Sequence, residues 1–269
     1  MSSVRPAAVA GSFYPGQPEA LSHSVEAMLA AAKPATQAPV PKAIVAPHAG
    51  HIYSGPVAAS IYALIAPARA RIKRVVLLGP THRVAIHGMA LPGVDAFATP
   101  LGNIPVDADA VKQLMKLPYV GASAEAHRME HSLEVHLPFL QKVIDNFTLV
   151  PLAVGRASAQ QVAEVINLLW GGDETLIVVS SDLSHYLPYA QAQATDNATA
   201  QAILALRTDI NHHQACGATP VTGLNLLAQQ RGLKPELIDL RNSGDTAGDK
   251  ARVVGYGSFA YYEQPRPVH

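Results

Sequence analysis

Three histidines follow short apolar runs of the sequence within a few residues. His48 follows AIVA, His82 follows RVVLL, and Asp182 and His185 follow TLIVVS. Such runs predict strands buried on both faces of a sheet, and sites gather beyond the carboxyl ends of such strands. Histidine is the commonest metal ligand and a general base near neutral pH. One histidine could simply satisfy loop backbone groups, but the threefold recurrence favours a metal or acid–base site.

The single cysteine, Cys216, is the other candidate for chemistry. Gly217 follows it, and Thr219 and Pro220 have the residue types of a helix N-cap and first helical position. The positive end of a helix favours a thiolate, which is both a nucleophile and a metal ligand. Structural, nucleophilic and metal-binding roles all remain open at this point. His212, four residues earlier, would share a helical face with the cysteine.

The segment MEHSLEVHLP contains a further group of ionisable residues. Its histidines, His131 and His136, are five residues apart, which differs from the spacing of the zinc-binding HExxH motif. Glu130 and Glu134 would share one face of a helix. Ser132 is a candidate N-cap for the helix that follows. Glu130 and His131 are therefore predicted only at the edge of a functional pocket.

Alternating strands and helices are predicted along the chain. The predicted strands are Ala43–Ala46, Arg74–Leu78, Thr148–Val154, Thr175–Ser180, Glu236–Leu240 and Val253–Tyr262. The predicted helices are Pro18–Ala31, Pro56–Ala66, Ala108–Lys116, Leu133–Ile144, Ala159–Trp170, Ala190–Leu206 and Val221–Gln230. This order predicts a three-layer α/β fold with a mostly parallel central sheet. Gly255 and Gly257 predict a bend or a close neighbour in the last strand, rather than a central element.

Composition limits the classes of function. Of 269 residues, 49% are hydrophobic and 15% charged, and 20 basic residues balance 20 acidic ones. We expect no nucleic-acid partner, because phosphate binding calls for a basic surface. No run has the length of a membrane span, and the first residues lack a signal-peptide pattern. With one cysteine, a cytoplasmic protein is expected. The chain is predicted to be one domain, 1–269, with a Pro-rich linker at Lys33–Pro41.

Several motifs, taken together, resemble the Memo family. They run in order along the chain: AGSFYP at Ala10–Pro15, APHAGHIYSG at Ala46–Gly55, GPTH at Gly79–His82, EHSLEVHLPFL at Glu130–Leu140, SSDLSHY at Ser180–Tyr186 and ACG at Ala215–Gly217. The resemblance implies a fold like that of the class III extradiol dioxygenases. It also implies a functional link to radical SAM and AMMECR-type proteins, which are often encoded beside prokaryotic members.

The resemblance also implies site residues. The family's metal pocket corresponds to His48, His82 and Cys216, with His185 as base and Asp182 as the neighbouring acid. The remaining pocket positions are Phe13, Tyr53, Glu130, His131 and His212. Extradiol dioxygenases hold Fe(II) with two histidines and a carboxylate, whereas a cysteine stands here. A divalent metal is therefore expected, iron first, with zinc or copper as alternatives.

Three functions remain open from the sequence. The first is a redox or oxygen-dependent enzyme with open metal positions, acting on a small molecule or peptide. The second is a protein that binds a metal or a phosphopeptide without turnover; Arg83 is the one arginine close to the motifs that could contact an anion. The third is a hydrolase that uses zinc-bound water, or Cys216 as the nucleophile with His185 as its base.

Overall fold

The computed structural model describes residues 3–32 and 39–264. Within these ranges the strands are β1 Val4–Arg5, β2 Ala43–Ala46, β3 Arg74–Pro80, β4 Met89–Leu91, β5 Ala96–Thr99, β6 Gly102–Pro105, β7 Val120–Ala122, β8 Thr148–Val154, β9 Thr175–Ser180, β10 His185–Leu187, β11 Lys234–Asn242 and β12 Val253–Tyr262. The α-helices are α1 Pro18–Ala32, α2 His51–Tyr62, α3 Ala108–Leu114, α4 Ala124–Arg128, α5 Leu137–Val143, α6 Ala159–Leu168, α7 Tyr189–Leu204, α8 Ala218–Arg231 and α9 Ser243–Thr246. Short 3-10 helices cover Ala66–Ala68 and Glu134–His136.

One large sheet organises the described part of the chain. Its strand order is β10-β12-β2-β9-β3-β8-β4-β7, with β11 also paired to β12. The strands β2, β9, β3 and β8 run parallel to one another, while β12 runs antiparallel to β2 and β4 antiparallel to β8. A smaller sheet contains β1, β5 and β6 in that order. The predicted α/β fold, with a large sheet flanked by helices, is confirmed.

Alternate residues of the central strands enter two separate hydrophobic clusters. Val45 and Val76 pack with side chains of α3, α6, α7 and α8. Their neighbours Ile44 and Val75 pack with side chains of α1, α2 and α5. Because successive side chains of a strand point to opposite faces, the two clusters are the two faces of the sheet. Both faces are covered by helices, which explains why these strands are apolar throughout.

Several predicted boundaries differ from those observed. Helix α2 starts at His51, five residues before the predicted Pro56, so the proline lies in the second turn of the helix, where it leaves the backbone oxygen of Ile52 without its helical N–H donor. Strand β12 is an internal strand, whereas the two glycines had predicted that it is not a central element. The predicted close neighbour is present at Gly255. A Cβ on Gly255 would lie 2.0 Å from the Asp196 carboxylate. Of the predicted linker, residues 33–38 lie outside the described ranges.

The sheet brings the predicted site residues to one edge. Strands β2, β9 and β3 are adjacent and parallel, so their carboxyl ends lie side by side. His48 follows β2, Asp182 follows β9, and His82 follows β3. The described chain contains no helix that is both long and apolar enough to cross a bilayer.

Candidate metal centre

His48 lies just beyond β2 with 1% of its surface exposed. Its Nδ1 is 2.5 Å from Ser180 Oγ, and this hydroxyl donates its proton to the backbone oxygen of Ser132 over 2.6 Å. Since Ser180 has no second proton, His48 Nδ1 must be the donor. Burial, and after it the charges of the surrounding histidines, lowers the pKa of His48 well below its ordinary value. The ring is therefore neutral, and its Nε2 carries a lone pair.

His82 is oriented by a buried carboxylate. Its Nδ1 donates to Glu130 Oε1 over 2.9 Å, and its backbone N–H donates to Glu130 Oε2 over 2.6 Å. Burial alone would raise the pKa of Glu130, but the hydrogen bonds and charge of His82 and the N–H of Ser132 lower it to about 2. Glu130 is thus an acceptor only. In the neutral His82 ring the lone pair lies on Nε2, as in the carboxylate–histidine pairs that orient metal ligands.

His131 lies directly against these two histidines. Its ring is stacked on His82 with centroids 4.6 Å apart, and its centroid is 5.5 Å from that of His48. One ring nitrogen from each of the three histidines lies within 4.8 Å of the others, a spacing that could hold a metal ion. Burial lowers the pKa of His131 to about 4, as does the charge of His82. The sequence placed His131 at the edge of the pocket; the structure places it in the histidine cluster.

Cys216 contacts His48 from the other side. Its Sγ is 3.3 Å from His48 Nε2 and accepts a hydrogen bond from the backbone N–H of Asp182 over 3.3 Å. The thiol precedes α8, as expected, but the helix does not favour a thiolate in the metal-free chain. Burial raises the pKa of the Cys216 thiol far above its ordinary value, and the charge of Asp182 raises it further. These two effects outweigh the positive end of the helix.

Asp182 lies beneath His48 and Cys216. It is 4% exposed, and its Oδ1 accepts the backbone N–H of His48 over 2.7 Å. Its backbone oxygen accepts the N–H of Cys216 over 3.2 Å. Burial raises the pKa of Asp182 to about 6, although the hydrogen bonds that it accepts oppose this rise. Asp182 therefore joins the loops after β2 and β9 to the loop of the cysteine.

His185 and His212 are exposed residues around this cluster. His185 begins β10, and its Nδ1 donates to the backbone oxygen of Leu183 over 2.8 Å, so the Nε2 of the neutral ring is the free acceptor. A positive charge on His185 would lower the pKa of Asp182, which places it within electrostatic reach. His212 Nδ1 lies 3.2 Å from the backbone oxygen of Cys216.

The two predicted aromatic residues lie at different distances from the cluster. The ring centroid of Phe13 is 4.7 Å from that of His131, so Phe13 forms a wall of the site. Tyr53 is in the first turn of α2 and is 41% exposed. Among the described residues, no side chain holds its hydroxyl by a hydrogen bond, and its ring contacts none of the histidine rings.

A cavity of about 850 Å³ opens beside the histidine cluster. His82, Cys216 and His212 are among its lining residues. The rest of the lining comes from the loop after β3, the loop after β8 and the start of α8. The cavity is large enough for a small organic molecule next to both predicted ligands.

The N-terminal segment fixes the loop that carries Glu130 and His131. Arg5 forms a buried ion pair with Glu134 over 2.6 Å and donates through Nη2 to the backbone oxygen of Glu130 over 2.8 Å. Glu134 also accepts the hydroxyl of Tyr14 over 2.6 Å. Phe13 is thereby held against the cluster. Sequence reasoning assigned no role to Arg5, because its partners lie more than a hundred residues away.

Comparison with known proteins decides the family. A sequence profile described as Memo-like protein matches residues 5–260. The chain belongs to the Memo family. It is 36% identical over 265 residues to a MEMO1 family protein of Aquifex aeolicus, covering 94% of this chain and 97% of the relative. It is 34% identical over 271 residues to one of Archaeoglobus fulgidus, with the same coverage.

A solved structure shares the fold of this Memo chain. The crystal structure of uncharacterized protein JW3007 from Escherichia coli K12 superposes with a TM-score of 0.55 at 11% sequence identity. The match covers 80% of this chain and 98% of that protein. At this identity the likeness concerns the fold alone.

Sequence reasoning missed two serines that support the Memo cluster. Ser180 Oγ links His48 to the backbone of Ser132, and Ser132 Oγ donates to the backbone oxygen of Pro80 over 2.8 Å. Ser132 is therefore not the predicted helix cap. Ser180 is the last residue of a buried strand, and a hydroxyl at that position is the one signal that could have pointed to it.

Proposed function

We propose that this Memo-family chain is a metal-dependent oxidoreductase in which His48, His82 and Cys216 hold a divalent metal. One observation carries the proposal: His48 and His82 each commit Nδ1 to a buried acceptor, which leaves the Nε2 of each ring as the nitrogen available to a metal. Buried acceptors that fix the tautomer in this way are a common feature of metal-binding histidines. The residues of the site therefore fit a metal.

We assign the third ligand to Cys216 rather than to His131. Cys216 Sγ lies 3.3 Å from His48 Nε2, the atom that carries the lone pair, although the three ligand atoms that lie within 4.8 Å of one another belong to His48, His82 and His131. His131 instead faces Glu130, with Nδ1 and Oε1 3.3 Å apart, and its ring is stacked on His82. A set of two histidines and one thiolate suits iron, which we favour, and also zinc and copper. When bound, iron would supply one-electron and oxygen chemistry at positions that the protein leaves open.

The other residues have roles that follow from their contacts. Glu130 keeps His82 oriented and is a positioning residue. His185 commits Nδ1 to the backbone oxygen of Leu183, which leaves Nε2 available, and the residue is exposed, so we assign it the role of acid or base. Phe13 limits the approach of water to His131. The raised pKa of Cys216 argues against its use as a nucleophile, because little thiolate is present before a metal binds.

Elemental analysis of anaerobically purified protein tests the metal site. We expect His48→Ala and His82→Ala to lose most of the bound metal, and Cys216→Ser to lose it in part, since one of three ligands is replaced. His131→Ala should retain metal if Cys216 is the third ligand. The matched control is His213→Ala, which removes an exposed histidine that does not line the cavity. Metal content that is unchanged in all of the ligand variants would refute the proposal.

Oxygen uptake tests the chemistry. Iron-loaded protein is assayed with panels of catechols and thiols, and His185→Ala is expected to lower turnover while metal content stays constant. The pH profile of that variant should also lose the limb that reports the base. If the loaded protein consumes no oxygen with any member of either panel, the assignment to oxygen chemistry fails while the metal site stands.

A further inference from the structure

The cavity beside the metal centre has a lining of unusual charge. Among the described residues that line it there is no aspartate or glutamate, while Arg156, His82 and His212 are all present. Arg156 lies in the loop after β8. The lining therefore holds one permanent cation, Arg156, and no carboxylate, and this presents a positive potential to a ligand.

Arg156 has no partner for its guanidinium among the described residues. Its backbone is fixed by a hydrogen bond from its N–H to the Ile86 oxygen over 2.9 Å, but no described carboxylate pairs with the side chain. Arg5 and Arg74 have such partners, Glu134 and Asp107, whereas the exposed Arg156 has none in the described part of the chain. A guanidinium that lines a cavity and lacks a partner is suited to bidentate binding of a carboxylate.

The remaining lining is mainly apolar. Ile86, Val154 and Ala157 contribute to the wall beside Arg156. Helix α6 also begins at this wall, with Ser158 as its N-cap, so the positive end of a helix adds to the field of the arginine. An apolar surface next to one unpaired cation matches a ligand with an apolar body and one negative charge. A phosphate ester, with nearly two charges, would call for a second cation.

We infer that this cavity binds a small organic carboxylate, with its carboxylate on Arg156 and its apolar body directed toward His82 and Cys216. The inference rests on the proposed function only for the statement that this carboxylate is the substrate. Binding itself needs Arg156 and the apolar wall, and it does not need the metal. Arg156 would then determine specificity, a role that no motif of the sequence indicated.

Ligand-observed NMR on metal-free protein tests the inference. The probe is benzoate, the neutral control is benzamide, and inorganic phosphate is the third ligand. We expect saturable binding of benzoate, weaker binding of benzamide, and a rise of roughly tenfold in the Kd for benzoate in Arg156→Gln, the effect of losing one charge-assisted contact. The matched control is Arg83→Gln, an exposed arginine near His131 that does not line the cavity; it should bind benzoate like the wild type.

Several results would overturn the inference. They are absence of saturable benzoate binding, equal binding of benzamide, tighter binding of phosphate than of benzoate, and loss of benzoate binding in Arg83→Gln but not in Arg156→Gln. Metal analysis separates this inference from the proposed function. Protein that binds benzoate through Arg156 but takes up no metal refutes only the proposed function. Protein that takes up metal but fails the benzoate test refutes only the carboxylate site.

Discussion

Replacing Glu130 by glutamine would test how the proposed metal centre is held together. The carboxylate accepts four hydrogen bonds: Oε1 accepts from His82 Nδ1 and from the N–H groups of His131 and Ser132, and Oε2 accepts from the N–H of His82. A glutamine amide can keep its oxygen at the first position only by placing its NH₂ against the N–H of His82. One bond is then lost, and two buried donors face each other.

The size of the effect can be worked out in two ways. A buried donor without an acceptor costs about 1–3 kcal/mol, and the three remaining bonds lose their charge assistance. Separately, the fall in the pKa of Glu130 from 4.5 to about 2 corresponds to a preference for the charged form of about 3 kcal/mol. Glu130 is 2% exposed, so solvent screening does not reduce this figure much. We expect Glu130→Gln to lower the free energy of unfolding by about 3 kcal/mol.

The same substitution should weaken metal binding. Loss of the group that orients a ligating histidine typically lowers metal affinity by about 10–100-fold. Urea denaturation of the metal-free protein measures the first effect, and competitive titration against a chelator measures the second. Glu125→Gln, an exposed residue of α4, is the matched control. If Glu130→Gln unfolds within about 0.5 kcal/mol of the control and binds metal equally well, the role assigned to Glu130 is wrong.

Three further perturbations follow from particular contacts. Arg5→Leu leaves the buried carboxylate of Glu134 without its cation, so the free energy of unfolding in urea should fall by about 3–5 kcal/mol. Burial lowers the pKa of His127 from 6.5 to about 4, so the stability that its neutral ring contributes is complete above pH 6.5 and is lost as the pH falls through 4. Unfolding in this pH range therefore takes up close to one proton at His127. In His127→Gln this uptake should be absent, so the free energy of unfolding should fall less steeply as the pH is lowered. In Gly217→Ala the new Cβ would lie 2.4 Å from the backbone oxygen of Ser180, so the cysteine loop must shift, and both metal affinity and thermal stability should decrease.

Each of these perturbations has a control in the same chain. Arg69→Leu breaks an exposed ion pair with Asp145 and should cost less than about 1 kcal/mol. Gly121→Ala adds a methyl group that meets nothing within 4 Å, so its stability should match the wild type. Three results would contradict the corresponding reasoning. They are an Arg5→Leu variant as stable as the Arg69→Leu variant, an unchanged dependence of the free energy of unfolding on acid pH in His127→Gln, and a Gly217→Ala variant that behaves like Gly121→Ala.

The positions of His48, His82 and Asp182 were predictable because of one property of parallel sheets. Residues that follow adjacent parallel strands come to the same edge, whatever the lengths of the connections between the strands. The apolar runs identified the strands, and the side chains after them identified the edge. The order β2-β9-β3 that makes the three strands adjacent had to come from the structure.

The protonation state of Cys216 could not be predicted in this way. The sequence shows a cysteine before a helix, which favours a thiolate. It does not show that the thiol is packed against Asp182, 34 residues earlier, or that burial there dominates. The internal position of β12 was missed for a similar reason. Its Gly255 is needed because the Asp196 carboxylate occupies the space of a side chain, and that neighbour is distant in sequence.

His131 shows most clearly why the site depends on the N-terminal segment. The residue is in a turn before a 3-10 helix, and the path of this turn is set by Arg5, which binds the backbone oxygens of His127 and Glu130. Glu134, the partner of Arg5, holds the segment that places Phe13 against His131. The histidine cluster is therefore complete only when residues more than 120 positions apart have come together. Because Arg5 holds the backbone oxygen of Glu130, whose carboxylate orients His82, a substitution at Arg5 should loosen the geometry of His82 and weaken metal binding without touching any ligand.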